Sequence, residues 1–169
     1  MAKLVLTLVG DDRAGLVQTV AEVVGAHGGN WETSELAELA GTFAGIVLVS
    51  VPDRSLDDLK AALHNLDGLL TVAVHGSAES AGMRSGRRFA FTVLGNDRPG
   101  IVRDVTGILN RHGLTIDLFS SETREAPMAG GTLFEATITA RSADEDAVQA
   151  AIEELERLAG EIQVDLSVG

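Results

Sequence analysis

The sequence has no cysteine and no tyrosine, and only one tryptophan and three prolines. Without cysteine it forms no disulfide, offers no thiolate to zinc or an iron–sulfur cluster, and has no thiol nucleophile. Basic residues are scarce as well: 13 Lys and Arg stand against 25 Asp and Glu, a formal net charge of −12. Non-specific nucleic-acid binding needs a basic footprint that displaces counterions, and an anionic membrane surface needs the same. Neither partner is expected. No apolar run approaches the ~20 residues of a membrane-spanning helix. The opening run Met1-Ala2-Lys3-Leu4-Val5-Leu6 gives way to Gly10-Asp11-Asp12-Arg13, too soon for a secretory leader. A cytoplasmic protein without a cofactor is the expectation. What is present is 169 residues, 45% of them hydrophobic, enough for one medium domain or two small packed ones.

The chain repeats itself. Val9-Gly10-Asp11-Asp12-Arg13-Ala14-Gly15-Leu16-Val17 returns as Leu94-Gly95-Asn96-Asp97-Arg98-Pro99-Gly100-Ile101-Val102, an offset of 85 (95 − 10). His27-Gly28 returns at the same offset as His112-Gly113. Further on the offset is 92: Leu59 matches Ala151, Leu63 matches Leu155 and Val72 matches Val164. The second copy has therefore gained seven residues (92 − 85), and Arg124-Glu125-Ala126-Pro127-Met128-Ala129-Gly130-Gly131 reads as the loop that took them. The small, polar, aperiodic stretch Ser77–Gly86 reads as a linker between domains at 1–76 and 87–169.

Each copy has the same order of elements. Strand alternation at Lys3–Val9 precedes a helical stripe of Leu16, Val20, Val23, Val24 and His27, which Gly28-Gly29 stops. Strands are expected at 31–39 and 46–51, a helix on Leu56, Leu59, Leu63 and Leu66, and a last strand at 69–75. The second copy gives strand 88–94, helix 99–112, strands 115–124 and 132–140, helix 142–158 and strand 161–168. Ser55-Leu56-Asp57-Asp58 and Ser142-Ala143-Asp144-Glu145 read as capping boxes. The order β-α-β-β-α-β, with right-handed crossovers, gives an α+β fold: two ferredoxin-like domains, each a four-stranded antiparallel sheet with two helices on one face.

The polar feature present in both copies is the turn between first strand and first helix. There Asp12 and Asp97 are expected to cap the helix, and Pro99 suits its first turn. Gly15 and Gly100 lack Cβ and let a ligand or another backbone approach, and free N–H groups favour a carboxylate. Such a turn serves equally well as a helix start needed only for folding. Arg13 and Arg98 read either as carboxylate contacts or as solvated residues at the helix start.

Asp-Arg-Pro-Gly-Ile-Val at 97–102, followed by a helix ending His112-Gly113 and then a strand, resembles an ACT domain. The same pattern at 12–17, with Ala14 for Pro, resembles a second. The likeness covers roughly residues 3–76 and 88–168, and two such domains with nothing else resemble the tandem group of glycine cleavage system transcriptional repressors. The resemblance implies a regulatory protein that is not an enzyme and that binds a small amino acid, glycine or serine by analogy. The ligand would lie between paired ACT domains, and its binding would alter contact with a regulatory partner protein. It further implies a site walled by the first loop of one domain (Asp12, Arg13, Ala14, Gly15 and Leu16, or Asp97, Arg98, Pro99, Gly100 and Ile101) and by the start of the second strand of the other. There a Gly-x-Asn pattern places Asn30, while the second copy has Thr115. Asn30 with the 97–101 loop keeps more of the family pattern than Thr115 with the 12–16 loop.

Other chemistry finds little support. The four His residues are scattered, and no His-x-x-x-His or carboxylate triad at ligand spacing is present. Ser34, Ser120 and Ser121 have no identifiable His–Asp partners. Trp31 reads as a buried sheet residue or as a pocket wall beside Asn30. The acids from Glu145 to Glu156 read as the wet face of a helix or as a surface for a basic partner. No helix-turn-helix is visible, so any effect on transcription passes through another protein. Two alternatives remain: an interaction module with degenerate ligand sites, favoured by Thr115 and Ala14, and an acylphosphatase-like enzyme built on Arg98 and Asn30. Open sheet edges leave room for a homodimer.

Overall fold

A computed structural model describes residues 1–66, 68–76, 86–125, 130–158 and 163–168. The linker expected at 77–86 lies outside the described residues except for Gly86, as do residues 126–129 of the expected insertion. The chain divides into two units, Met1–Ala81 and Gly82–Gly169.

In the first unit, β1 (Ala2–Asp11), α1 (Leu16–Ala26), β2 (Asn30–Leu39), β3 (Thr42–Val51), α2 (Leu56–His64) and β4 (Thr71–Gly76) follow the expected order, with a turn of 3-10 helix at Asp53–Ser55 before α2. The second unit repeats them as β5 (Arg87–Asn96), α3 (Ile101–Arg111), β6 (Thr115–Glu125), β7 (Thr132–Ser142), α4 (Glu145–Leu158) and β8 (Gln163–Val168). The sheets run β2-β3-β1-β4 and β6-β7-β5-β8, every pair antiparallel. This is the ferredoxin-like order.

Alternation decides which face is covered. Leu4, Leu6 and Leu8 on β1 and Val47, Val49 and Val51 on β3 point the same way and are buried with Leu16, Val20 and Val24 of α1 and Leu59 and Leu63 of α2. Phe89, Phe91 and Val93 of β5, Ile138 of β7, Val105 and Leu109 of α3 and Leu155 of α4 do the same in the second unit. Trp31 stands opposite Val49 and packs, half-buried, against the first core.

The strand registers divide the insertion differently from the expectation. Leu39 pairs with Thr42 and Arg124 with Leu133, so the offset is 85 before the hairpin tip and 91 (133 − 42) after it. Six of the seven extra residues are therefore at the tip, and the seventh lies between β7 and α4. The short tip of the first unit turns through Ala40 at φ 51 and Gly41 at φ 82, the pair of left-handed conformations that a two-residue hairpin requires.

The caps also differ. Asp144, not Ser142, caps α4: its Oδ1 accepts from the N–H groups of Asp146 (2.9 Å) and Ala147 (3.3 Å). Ser142 bonds instead to the Asp144 backbone and shapes the approach. Ser55 makes no side-chain cap bond, because a 3-10 turn already leads into α2 and the Ser55 N–H is taken by the Pro52 carbonyl.

Candidate functional site

The loop after the first strand is built alike in both units. The hairpin tip holds its first residue: the Asp12 N–H donates to the Gly41 carbonyl at 2.9 Å, and the Asp97 N–H to the Thr132 carbonyl at 2.8 Å. The chain then turns. Ile101 N–H donates to the Arg98 carbonyl at 3.2 Å across Pro99 and Gly100, and Gly100 has φ 87 and ψ 1. A four-residue turn with Pro second and a left-handed Gly third is a type II turn. Gly15, at φ 89 and ψ 0, repeats the left-handed residue.

This geometry corrects two expectations. Asp12 and Asp97 do not cap the helices; the caps are Gly15 and Gly100, with no side-chain bond, because the turn puts each Asp three residues too early. Pro99 precedes the cap instead of opening the helix. The glycines are required for their positive φ, and at Gly15 no atom lies within 4 Å of where a Cβ would stand.

The expected site residues are not equally available. Leu16 and Ile101 bury their side chains in the cores. Asp12, Arg13, Ala14, Asp97 and Pro99 are exposed. Arg13 lies 3.5 Å from Asp11. Arg98 is half-buried, and its Nη1 donates to Asp104 Oδ2 at 2.8 Å. Arg103 donates to Asp104 Oδ1 from Nε at 3.1 Å and from Nη2 at 3.0 Å. Arg98 first, and Arg103 beside it, hold the Asp104 carboxyl below the usual Asp range. The first unit has Thr19 at the place of Asp104, with its hydroxyl on the Gly15 carbonyl at 3.0 Å, and so lacks this strap.

Asn30 and Thr115 are exposed at the starts of β2 and β6. Asn30 stands opposite Ser50, which pairs with Lys3 at the beginning of β1, whereas the 12–16 loop follows the end of β1 at Asp11. About 25 Å of strand separates them at ~3.3 Å per residue. Thr115 is separated from the 97–101 loop in the same way, through Arg141 and Arg88. No single unit brings its own loop and strand start together.

Beside each strand start is a β-bulge, between Trp31 and Thr33 and between Ile116 and Leu118. Each bulge aims an acid across the sheet: Glu32 accepts from Lys3 Nζ at 3.0 Å, and Asp117 accepts from Arg141 Nε at 2.6 Å, with Arg88 Nε 3.7 Å away. These pairs pin the strand ends next to Asn30 and Thr115. Lys3 first, with the Ser50 hydroxyl, holds the Glu32 carboxyl below its usual range.

The second unit also contains an open cleft of about 600 Å³. Arg103, Thr106, Gly107 and Asn110 of α3 form one wall, and Leu114, Thr115 and Ile116 the other. Only Thr115 was expected. The four helical residues fall on the polar side of α3, between buried Val105, Ile108 and Leu109, where a wet face is the ordinary reading. Their one signal in the sequence is a contrast between copies: Gln18, Ala21, Glu22 and Gly25 occupy the matching places. Among the described residues, no group of three His, Asp or Glu is placed to hold a metal, and no helix is long and apolar enough to cross a membrane.

Comparison with known proteins agrees with the sequence patterns. Family models described as ACT domain match residues 2–76 and residues 90–160. A crystal structure of a protein from Galdieria sulphuraria, described as unknown, superposes with a TM-score of 0.85 at 28% identity, over 99% of this chain and 98% of that one. Another, of a protein with the provisional name glycine cleavage system transcriptional repressor, gives a TM-score of 0.70 at 18% identity, over 99% and 98% of the two chains. At that identity the likeness shows the fold alone. No protein of curated function matches significantly.

Proposed function

The chain belongs to the ACT domain family through both of its halves, and on that premise we propose that it is a regulatory protein, not an enzyme, that binds a small amino acid. The observation that carries this reading is the doubled loop: two turns with left-handed Gly at φ 89 and 87, each ahead of a helix, one in each ACT domain. A loop and a strand start lie at opposite ends of their own unit, so a shared site needs two ACT domains, of one chain or of two. Asn30 and residues 97–101 are the proposed pair for the ligand, with residues 12–16 and Thr115 as the second. Glycine or serine is the proposed ligand, and the provisionally named repressor of the same fold supports a role in regulating glycine cleavage. The ligand acts by linkage: it favours the state that binds a partner protein, and the partner raises ligand affinity by the same factor.

One observation favours an interaction module with a degenerate site. Arg98, the cation of the better-kept loop, is occupied by Asp104. A thermal-shift and calorimetric screen of the twenty amino acids separates the readings. Binding to the native state raises the melting temperature by mass action. We expect one small amino acid to do so, and Asn30→Ala to weaken it roughly tenfold with little change in unliganded stability. No shift from any amino acid at millimolar concentration sinks the sensor reading. A large stability loss in Asn30→Ala makes that residue structural.

A further inference from the structure

The cleft of the second unit has a chemistry that an amino-acid ligand does not explain. Arg103, Gly107 and Arg111 follow one another at helical spacing along α3, and the cleft walls add the Thr106 and Thr115 hydroxyls and the Asn110 amide. Gly107 leaves room: a Cβ there would stand 3.6 Å from Nη1 of Arg111, in ordinary contact. Among the described residues, neither wall of the cleft carries a carboxylate to receive an ammonium. The acids nearby are already engaged. Asp104 accepts from Arg98 and Arg103, and Glu154 accepts from Arg111 and from His112 Nε2, so three guanidiniums face two carboxylates. The Arg103 bonds to Asp104 use Nε and Nη2. In a chain of net charge −12 this is a local excess of positive charge beside a cavity.

The first unit makes the contrast. At the places of Arg103, Gly107 and Arg111 it has Gln18, Glu22 and Ala26, and the Gln18 amide donates to Glu22 at 2.7 Å. Ile116 is replaced by the bulkier Trp31. Two copies with the same loop and bulge positions thus differ in charge along this helix face.

We propose that the α3 cleft binds a small organic anion, with a carboxylate or phosphate group held by Arg103 and the remainder seated over Gly107 against Leu114 and Ile116. A guanidinium fork suits either group. The cleft shares Thr115 with the second amino-acid pair proposed above, and Arg103 Nη2 stands 3.0 Å from the place of a Cβ on Gly100 of the first, but the anion reading rests on the cationic wall of α3 and does not depend on the amino-acid reading.

The test imports the first unit's residues. Full-length protein is titrated with succinate, glycerol phosphate and glycine at constant ionic strength, and backbone amides are followed by NMR. Succinate or glycerol phosphate should give a saturable response centred on Arg103, Gly107 and Thr115, and whichever responds names the anionic group. Arg103→Gln should weaken it tenfold or more, the equivalent of about 1.4 kcal/mol. Gly107→Glu should abolish it while raising the melting temperature, because Glu is the better helix former. Failure to fold therefore cannot imitate the loss. The proposal is overturned if neither anion gives a saturable response, or if both variants bind as the parent does. A glycine response around Asn30 and residues 97–101 without an anion response at α3 removes this site and leaves the amino-acid reading standing. The converse pattern does the opposite.

Discussion

At the scale of single residues, the left-handed glycines and the residues before them set the loop. Position 99 is the second residue of a type II turn, where the fixed φ of proline fits. Ala14 holds the same place before a Gly with the same φ and ψ within two degrees. Ala14→Pro should therefore stabilise the protein by about 0.4–1 kcal/mol, through reduced freedom of the unfolded chain. Urea denaturation reads this directly, and a loss of more than 1 kcal/mol would show that the two turns differ at this residue. The Asp-Arg-x-Gly motif was legible in the sequence as a helix start, but not how it works. A sequence does not distinguish a glycine that leaves room for a ligand from one that must take positive φ. At Gly15 the positive φ by itself requires glycine, whatever occupies the open space where a Cβ would stand.

At the scale of elements, hydrophobic period placed every strand and helix, and the ends moved. β1 extends from the expected 3–9 to Ala2–Asp11, and α3 begins at Ile101 instead of 99. The reason is that ends are fixed by hydrogen bonds to partners remote in sequence, such as Asp97 to Thr132, which period does not contain. The cap of α4 is similar. Ser142 and Asp144 are both good caps by residue type, and the path of the chain out of β7 gave the role to Asp144. Asp144→Ala should lower stability by about 1 kcal/mol, whereas Ser55→Ala should change little, since Ser55 makes no cap bond. Equal losses in chemical denaturation would refute this assignment.

At the scale of the whole molecule, net charge and acid pairing oppose each other. The carboxyls of Glu32, Asp53, Asp104 and Glu154 are all lowered from ordinary values of 4.5, 3.8, 3.8 and 4.5 by hydrogen bonds from cations. A carboxyl depressed on folding contributes stability above its unfolded pKa and loses it as pH falls through the folded value. The melting temperature should therefore be insensitive to these groups between pH 5 and 7 and fall below about pH 4.5. Asp104→Asn should fall less steeply, because one of the four depressed carboxyls is gone. A pH series of thermal melts checks both, and an identical acid slope in the variant would exclude Asp104 from the effect. Added salt should raise stability at pH 7 by screening a net charge of −12. The sequence by itself determined the two-fold repeat, the α+β order of each unit and the family, because all of these follow from local period and short motifs. Only the tertiary structure decided that Asn30 and its own loop lie at opposite ends of β1, that Arg98 is strapped to Asp104, and that a polar helix face between Arg103 and Asn110 walls a cleft. Each of these depends on which residues, distant in the chain, the strand registers and helix packing bring side by side.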